Sequence, residues 1–258
     1  MPLRFRVSNV FYQAGEHRAE KVADLFAAIA PRYDLLNDLQ SLGLHRLWKR
    51  RVAALAGAAV GKRALDLCCG TGDIAFALAQ RGAEVIGLDF SPKMIQVARA
   101  RNRRFKLLPG MDRAPDFIAG DAQAIPFPDE SFDIVTVGYG LRNLAGWERG
   151  LREMARVARP GARLVTLDFG KPPNPLWRRL YFLHLKCSVP AMGWLFCRQP
   201  QAYAYILESL RHFPEQSVVA EKMRAMNLAN VRHINLLGGA MAIHYGEKAR
   251  ASAPNATS

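Results

Sequence analysis

The stretch LDLCCGTGD, residues 65–73, decides the fold. An apolar run carrying an acidic residue gives way to two glycines, Gly70 and Gly72, and a helical pattern begins at Asp73. Glycines at a strand-to-helix turn let backbone N–H groups close on a ligand beside the helix N-terminus. A dinucleotide fingerprint would put a third glycine near position 75, where this chain has Ala75. Asp66, ahead of the glycines, repels phosphate and suits a ligand with a cationic group. The four cysteines, two of them adjacent in this turn, have neither metal-ligand nor disulfide spacing, so no metal site is expected.

Outward from this turn the chain alternates short apolar strands with helical patterns. Strands are expected at 64–68, 85–89, 117–119, 132–137 and 163–169, and helices at 73–80, 92–103 and 147–158. Such alternation implies a parallel sheet covered on both faces. Upstream, residues 17–30 read as an amphipathic helix with Val22, Leu25, Phe26 and Ile29 at helical spacing, ended by Pro31, and residues 44–57 as a second. Downstream come helices near 201–212 and 215–226, then a hairpin of 231–236 and 241–245 about Gly238-Gly239. The chain reads as one domain: an N-terminal helical lid (1–62), a cofactor-binding core (63–170), an inserted basic-aromatic acceptor region (171–230), the hairpin (231–248) and a fraying tail (249–258).

Two further acidic strand ends name the ligand. Asp89 lies 17 residues past Gly72, placed to accept hydrogen bonds from both hydroxyls of a ribose, with Ser91 the better cap for the helix after it and Asp89 left free. Asp121 follows the third strand and suits an adenine amino group, with Ala122 flanking the ring. Asp66, Asp89 and Asp121 in this order, with Gly70 and Gly72, read as a site for S-adenosylmethionine. The expected fold is therefore α/β, a doubly wound, Rossmann-like class I S-adenosylmethionine-dependent methyltransferase closed by an antiparallel C-terminal hairpin.

The chain has 258 residues, half of them hydrophobic, and a formal net charge of +14. Residues 1–63 carry 11 Lys and Arg against 5 Asp and Glu, residues 171–258 carry 11 against 4, and the middle is nearly balanced at 14 against 13. Between Phe169 and Leu207 there is no acidic residue, while Arg178, Arg179, Lys186 and Arg198 alternate with Trp177, Tyr181, Trp194 and Phe196. This mixture suits an anionic membrane surface, RNA, or a core helix with a basic edge. No apolar run reaches the roughly 18 residues of a membrane span, and the N-terminal arginines precede no apolar stretch. A cytoplasmic protein with peripheral contact at the inner face of the membrane is expected.

After the fourth strand the chain reads GYGLRN, residues 138–143, without the Pro-Pro-aromatic motif of nucleobase amino-methylation. That block belongs to a larger set: FAAIAPRYDLLNDLQSLGLHRLWKR (26–50), LDLCCGTGD (65–73), DAQAIPFPDESFD (121–133), RPG (159–161), LDFGKP (167–172), AYILESLRHFPEQ (204–216) and GGAMAIHYGEK (238–248). Carrying these blocks over residues 22–248, the chain resembles the ubiquinone/menaquinone biosynthesis C-methyltransferase family. The resemblance implies carbon methylation of a polyprenylated benzoquinol or naphthoquinol, leaning to the naphthoquinol. It implies that Thr71 and Asp89 bind the cofactor, that Asp121 and Ala122 frame its adenine, and that Tyr33 and Arg142 join the acceptor-site network. Two departures stand out: relatives often have Ser-Phe-Gly at 138–140, and some have Ala-Gly at Cys68-Cys69.

Methyl transfer to an aromatic carbon needs alignment, which is worth about 7–11 kcal/mol, and an environment that favours the phenolate. Arg142 is the candidate for the electrostatic role, with an ion pair to Asp34 or Asp38 as the alternative. Asn143 is the candidate to orient the ring oxygen, or else a helix cap. Tyr33 is a candidate hydrogen-bonding residue or a packed aromatic. Arg142 is a poor base because its pKa exceeds 12; His45 is a candidate base or a structural histidine. The rival readings are an RNA or small-molecule methyltransferase on the same scaffold, for which no nucleic-acid motif speaks, and a silent partner in a quinone-biosynthesis complex. Oligomeric state is open.

Overall fold

The computed structural model describes Val22 and residues 37–38, 41–106, 113–197 and 200–250, with backbone alone within 189–204. Helix α1 (Leu44–Leu55) leads into β1 (Arg63–Leu67), α2 (Asp73–Ala79), β2 (Glu84–Asp89), α3 (Pro92–Asn102), β3 (Asp116–Ala119) and β4 (Phe132–Gly138). A 3-10 turn (Leu141–Asn143) precedes α4 (Trp147–Val157) and β5 (Ala158–Phe169). Helices α5 (Pro175–Cys197), α6 (Pro200–His212) and α7 (Gln216–Ala225) follow, then β6 (Leu228–Leu236) and β7 (Met241–Lys248).

The seven strands form one sheet in the order β3-β2-β1-β4-β5-β7-β6. All pairings from β3 to β5 are parallel, and β7 runs antiparallel to both β5 and β6. Leu65, Leu67, Val135, Val137, Val165 and Leu167 are all buried, as strands covered on both faces require. The order reverses between β1 and β4, so a crevice opens at the carboxyl ends of these strands. The expected doubly wound sheet and antiparallel hairpin are both present.

Boundaries differ where tertiary pairing extends an element. Strand β5 starts at Ala158 rather than 163, because Ala158 pairs with Phe132 across a register shift that absorbs Arg159-Pro160-Gly161. The basic-aromatic segment is one 23-residue helix, α5. Its inner face buries Tyr181 and Leu185, and the Tyr181 hydroxyl donates to the Ala240 carbonyl at 3.1 Å. Its outer face leaves Leu176, Leu180 and Leu183 at 68%, 51% and 57% exposure. No helix among the described residues is long and apolar enough to cross a membrane. Of the helix expected at 17–30 only Val22 is described, and it is helical; the rest of that helix, Tyr33 and tail residues 251–258 lie outside the described residues.

The C-terminal hairpin is pinned through His244. Its Nδ1 lies 3.3 Å from the Thr166 hydroxyl on β5, and its Nε2 lies 3.0 Å from the Gln216 carbonyl at the start of α7. Burial pushes the His244 pKa down to about 4. The folded protein therefore needs the neutral ring, and stability falls as pH drops from the unfolded value near 6.5 towards 4. Between pH 7.5 and pH 5 His244 should cost about 2 kcal/mol. Urea unfolding at both pH values should reveal this loss, and His244→Gln should remove that part of it.

Candidate active site

The crevice is built from four strand ends. After β1, Cys68, Gly70 and Gly72 all adopt left-handed backbone, at φ 49°, 55° and 91°. Asp89, the last residue of β2, clamps this turn: its Oδ2 accepts from the Gly70 N–H at 2.8 Å and its Oδ1 from the Ser91 N–H at 2.9 Å. Ser91 caps α3 through Met94 N–H, as expected. Asp89 is thus not free as anticipated, but each carboxylate oxygen accepts more than one hydrogen bond, and capacity remains for a ligand. Burial raises the Asp89 pKa against the lowering effect of these two N–H groups. A Cβ on Gly70 would meet nothing within 4 Å, so its backbone is open to the crevice.

Asp121 follows β3, and its Oδ1 accepts from Gln123 N–H at 2.8 Å. Asp89, Asp121, Ala122 and Gly70 line one cleft of about 710 Å³ together with Phe90, Met94 and Asn143. Asp66, Thr71 and Gly72 do not line it. Asp66 is 1% exposed beneath the turn; the Thr136 hydroxyl donates to its Oδ1 at 2.7 Å, while its Oδ2 has no partner. Burial pushes the Asp66 carboxyl up to about 7. The Thr71 carbonyl accepts from Arg101 at 2.9 Å, and a Cβ on Gly72 would come within 2.9 Å of Phe76 and Phe117. These two shape the turn from behind.

A second, mostly apolar cavity of about 910 Å³ lies between α1 and α5, lined by Trp48, Phe169, Trp177 and Tyr181 among others. Tyr139 lines both cavities. The GYGLRN backbone fixes it there. Tyr139 is left-handed, at φ 61°. Its N–H donates to Leu167 O at 2.6 Å, and its carbonyl accepts from Arg142 Nη1 at 2.7 Å and Asn143 Nδ2 at 2.9 Å. A Cβ at Gly138 would sit 2.4 Å from Ile74 Cδ1, so a serine there would require the tip of Ile74 to move.

Arg142 is buried and lines neither cavity. Its ion partner is Asp168 on β5, Nη1 to Oδ1 at 2.5 Å, and its backbone N–H donates to Asp168 Oδ2 at 3.0 Å. Of the two alternatives, Asp38 pairs with Arg46 and His45, and Asp34 lies outside the described residues. Asn143 does line the first cleft, and its Oδ1 has no partner. Sequence reasoning missed Phe90, Asp168, Phe169 and Tyr139. Asp168 and Phe169 end β5 as Asp89 and Phe90 end and follow β2, and the strand-end rule would have found them.

These residues fit S-adenosylmethionine: Gly70 is open to the crevice, and the carboxylates of Asp89 and Asp121 border the cleft. No cluster of metal-ligating side chains occurs among the described residues. The sheet order, with its reversed β7, and the acid-ended strands define the class I S-adenosylmethionine-dependent methyltransferases. A complex of an archaeal methyltransferase with the Haloferax volcanii activator Trm112 shares this fold at TM-score 0.62 and 19% identity, over 87% of this chain and 98% of that one. The profile of the ubiE/COQ5 methyltransferase family matches residues 14–248, and the chain belongs to that family. It is similar to a demethylmenaquinone methyltransferase of Paenarthrobacter aurescens, 39% identical over 90% of this chain and 88% of the relative. It is likewise 40% identical to a ubiquinone/menaquinone biosynthesis C-methyltransferase UbiE of Ectopseudomonas mendocina, over 90% of each.

A Cβ on Gly140 would lie 2.4 Å from Cys68 Cβ, on two residues that both line the first cleft. Gly140→Ala should therefore weaken S-adenosylhomocysteine binding by about tenfold or more, a cost of about 1.4 kcal/mol or above. Calorimetric titration checks this; unchanged affinity would show that the cleft is not where the cofactor sits.

Proposed function

We propose that this methyltransferase carries a methyl group to a ring carbon of a polyprenylated quinol, with demethylmenaquinol the preferred acceptor and the unmethylated ubiquinone precursor the other. The observation that carries this reading is the pair of cavities that share Tyr139 in their walls, one bordered by Asp89 and Asp121 and the other mostly apolar. An amphiphile with an aromatic head and a hydrocarbon tail matches that pairing, and both relatives described above are named for quinone methylation.

S-adenosylmethionine, when bound, supplies an electrophilic methyl on a sulfonium. Asp89 holds ribose hydroxyls, and Asp121 takes the adenine amino group with Ala122 and Phe90 against the ring. The open Gly70 backbone favours the amino-acid end, with Asp66 supporting the turn from beneath. Asn143 turns its unpartnered Oδ1 to a ligand group in the cleft. Arg142 acts as a positioning residue, since Asp168 and the Tyr139 carbonyl already hold its guanidinium. Tyr33 joins the acceptor side. Shielding by Phe169, Trp177 and Tyr181 excludes water from the reacting ring.

The outer stripe of α5, Leu176, Leu180 and Leu183 with Arg179 and Lys186 beside it, lies on an anionic membrane surface at the inner face of the cytoplasmic membrane. The protein should bind vesicles containing anionic phospholipid at low salt, and Leu180→Asp with Leu183→Asp should reduce binding by about tenfold or more. Equal sedimentation of both proteins with vesicles would remove the membrane contact.

Quinones extracted from a methyltransferase-null bacterium carrying this gene test the reaction. Restored menaquinone is the expected result, and restored ubiquinone alongside it would mean a ring-tolerant enzyme. Failure to restore either quinone, with cofactor-binding protein present in the cells, would overturn the quinol reading.

A further inference from the structure

Two polar atoms are buried without a hydrogen-bond partner at residues lining the apolar cavity: Asn37 Nδ2 and His45 Nδ1. His45 is 2% exposed. Its Nε2 lies 2.8 Å from Asp38 Oδ1, and a carboxylate only accepts, so Nε2 carries the hydrogen and Nδ1 keeps its lone pair. Asp38 is itself fixed by Arg46, whose Nε and Nη2 reach its two oxygens at 2.8 and 2.5 Å. Asn37 Nδ2 is a donor. Both residues line the cavity with Trp48, Phe169 and Tyr181, and one unused donor with one unused acceptor is the hydrogen-bond complement of a hydroxyl group.

We propose that Asn37 and His45 grip a ring hydroxyl of the acceptor, Asn37 donating to its oxygen and His45 Nδ1 removing its proton. His45 is then the general base and Asp38 its positioning residue; that the hydroxyl is a quinol's rests on the function proposed above. The charged and titratable groups facing the imidazole are Asp38, Arg46 and Lys49 around α1 and Asp73 on α2, with Tyr139, Tyr181 and His184 around the cavity. Burial lowers the His45 pKa more than Asp38 raises it, so the ring is neutral and able to accept at pH 7. Burial keeps the Tyr181 hydroxyl protonated, which leaves it a donor and not a rival base.

The proton balance closes without another reactant. The hydroxyl proton passes to Nδ1, and the imidazolium is held by the Asp38 carboxylate. The ring carbon forms its bond to the methyl as the C–S pair stays with sulfur. The hydrogen displaced from that carbon leaves to water as a proton, and His45 returns its own proton to the oxygen. One proton is released per methyl transferred.

The test compares the full-length protein with His45→Gln, Asp38→Asn and Asn37→Ala. On demethylmenadiol, His45→Gln should lose about 10²–10⁴ in kcat and the acid limb of the kcat–pH profile, with cofactor affinity retained. Asp38→Asn should keep an acid limb, moved to lower pH. The second readout needs no turnover: 1-naphthol bound to the wild type should ionise, by its naphtholate absorption, on the order of one pH unit lower than in His45→Gln. Asn37→Ala should weaken naphthol binding by about fivefold or more. Identical profiles and identical naphthol ionisation in wild type and His45→Gln would overturn the proposal. If the wild type does not methylate demethylmenadiol, the quinol reading fails and the naphthol titration alone decides the role of His45. If His45→Gln does not bind cofactor, Asp38→Asn gives the decision by the same two readouts.

Discussion

The buried pair of Arg142 and Asp168 is the constraint on which the site depends. It joins the loop after β4 to the last turn of β5, and through the Arg142 guanidinium it fixes the carbonyl of Tyr139. Taking two charges out of water costs several kcal/mol per ion, so the pair stands only because its hydrogen bonds are made. Asp168 accepts from the Arg142 backbone, the Arg142 side chain and the Phe169 N–H. The guanidinium carbon also lies 4.5 Å from the Phe169 ring centroid, where cation–π attraction adds to the Coulomb energy. Left-handed backbone at Tyr139 costs about 1–2 kcal/mol for a residue with a side chain. Three hydrogen bonds to its N–H and carbonyl oppose that cost, and the residue is left in the walls of both cavities.

A second polar cluster ties helix α1 to the same residue. Helix α1 buries His45, Lys49, Val52 and Ala53 along one face, so two of its four inward positions are ionisable. Lys49 reaches Asp73 Oδ2 at 2.6 Å while Arg101 holds Asp73 Oδ1 at 2.6 Å. These two cations hold the Asp73 carboxyl well below the usual carboxylate range despite its burial. Lys49 Nζ also lies 5.7 Å from the centroid of the Tyr139 ring. The first turn of α2, helix α1 and the Tyr139 wall are therefore linked electrostatically. A shift of α1 would move the glycine turn and both cavities together.

Much of this was legible in the sequence because it is local. Strand and helix periodicity, the left-handed glycines and the acid at the end of β2 are all short-range features, and each of these elements is present. The partner of Arg142 was not legible. Asp168 lies 26 residues away on another strand, and only sheet order brings the two together. The same holds for Thr71 and Gly72, which sit in the glycine motif yet face Arg101, Phe76 and Phe117 rather than the cleft. The left-handed backbone of Tyr139 was not legible either, because positive φ leaves no mark in the sequence at a tyrosine as it does at a glycine. His45 was a candidate base or a structural histidine in the sequence and Asn37 carried no reading of its own, because their unmade hydrogen bonds exist only in the folded protein.

Helix α5 shows one of the environments that its composition allowed, a buried inner face. A mixture of basic and aromatic residues without acids suits a membrane, a nucleic acid or a core, and α5 serves two environments on opposite sides. Tyr181 and Leu185 are buried, with Tyr181 closing the apolar cavity and its hydroxyl tied to the β7 approach at Ala240. Leu176, Leu180 and Leu183 point the other way, and Trp177 bridges the two through its indole N–H bond to Leu237 O at 2.9 Å. A helix with one apolar face buries it and is done. One with apolar residues on both sides leaves surface that water penalises, at roughly 25 cal/mol per Å², and in a folded monomer that surface is retained for contact with something apolar. The cavity wall and the exposed stripe thus belong to one rigid element, so whatever the stripe touches is a helix's width from the chamber in which Tyr139, Asn37 and His45 meet.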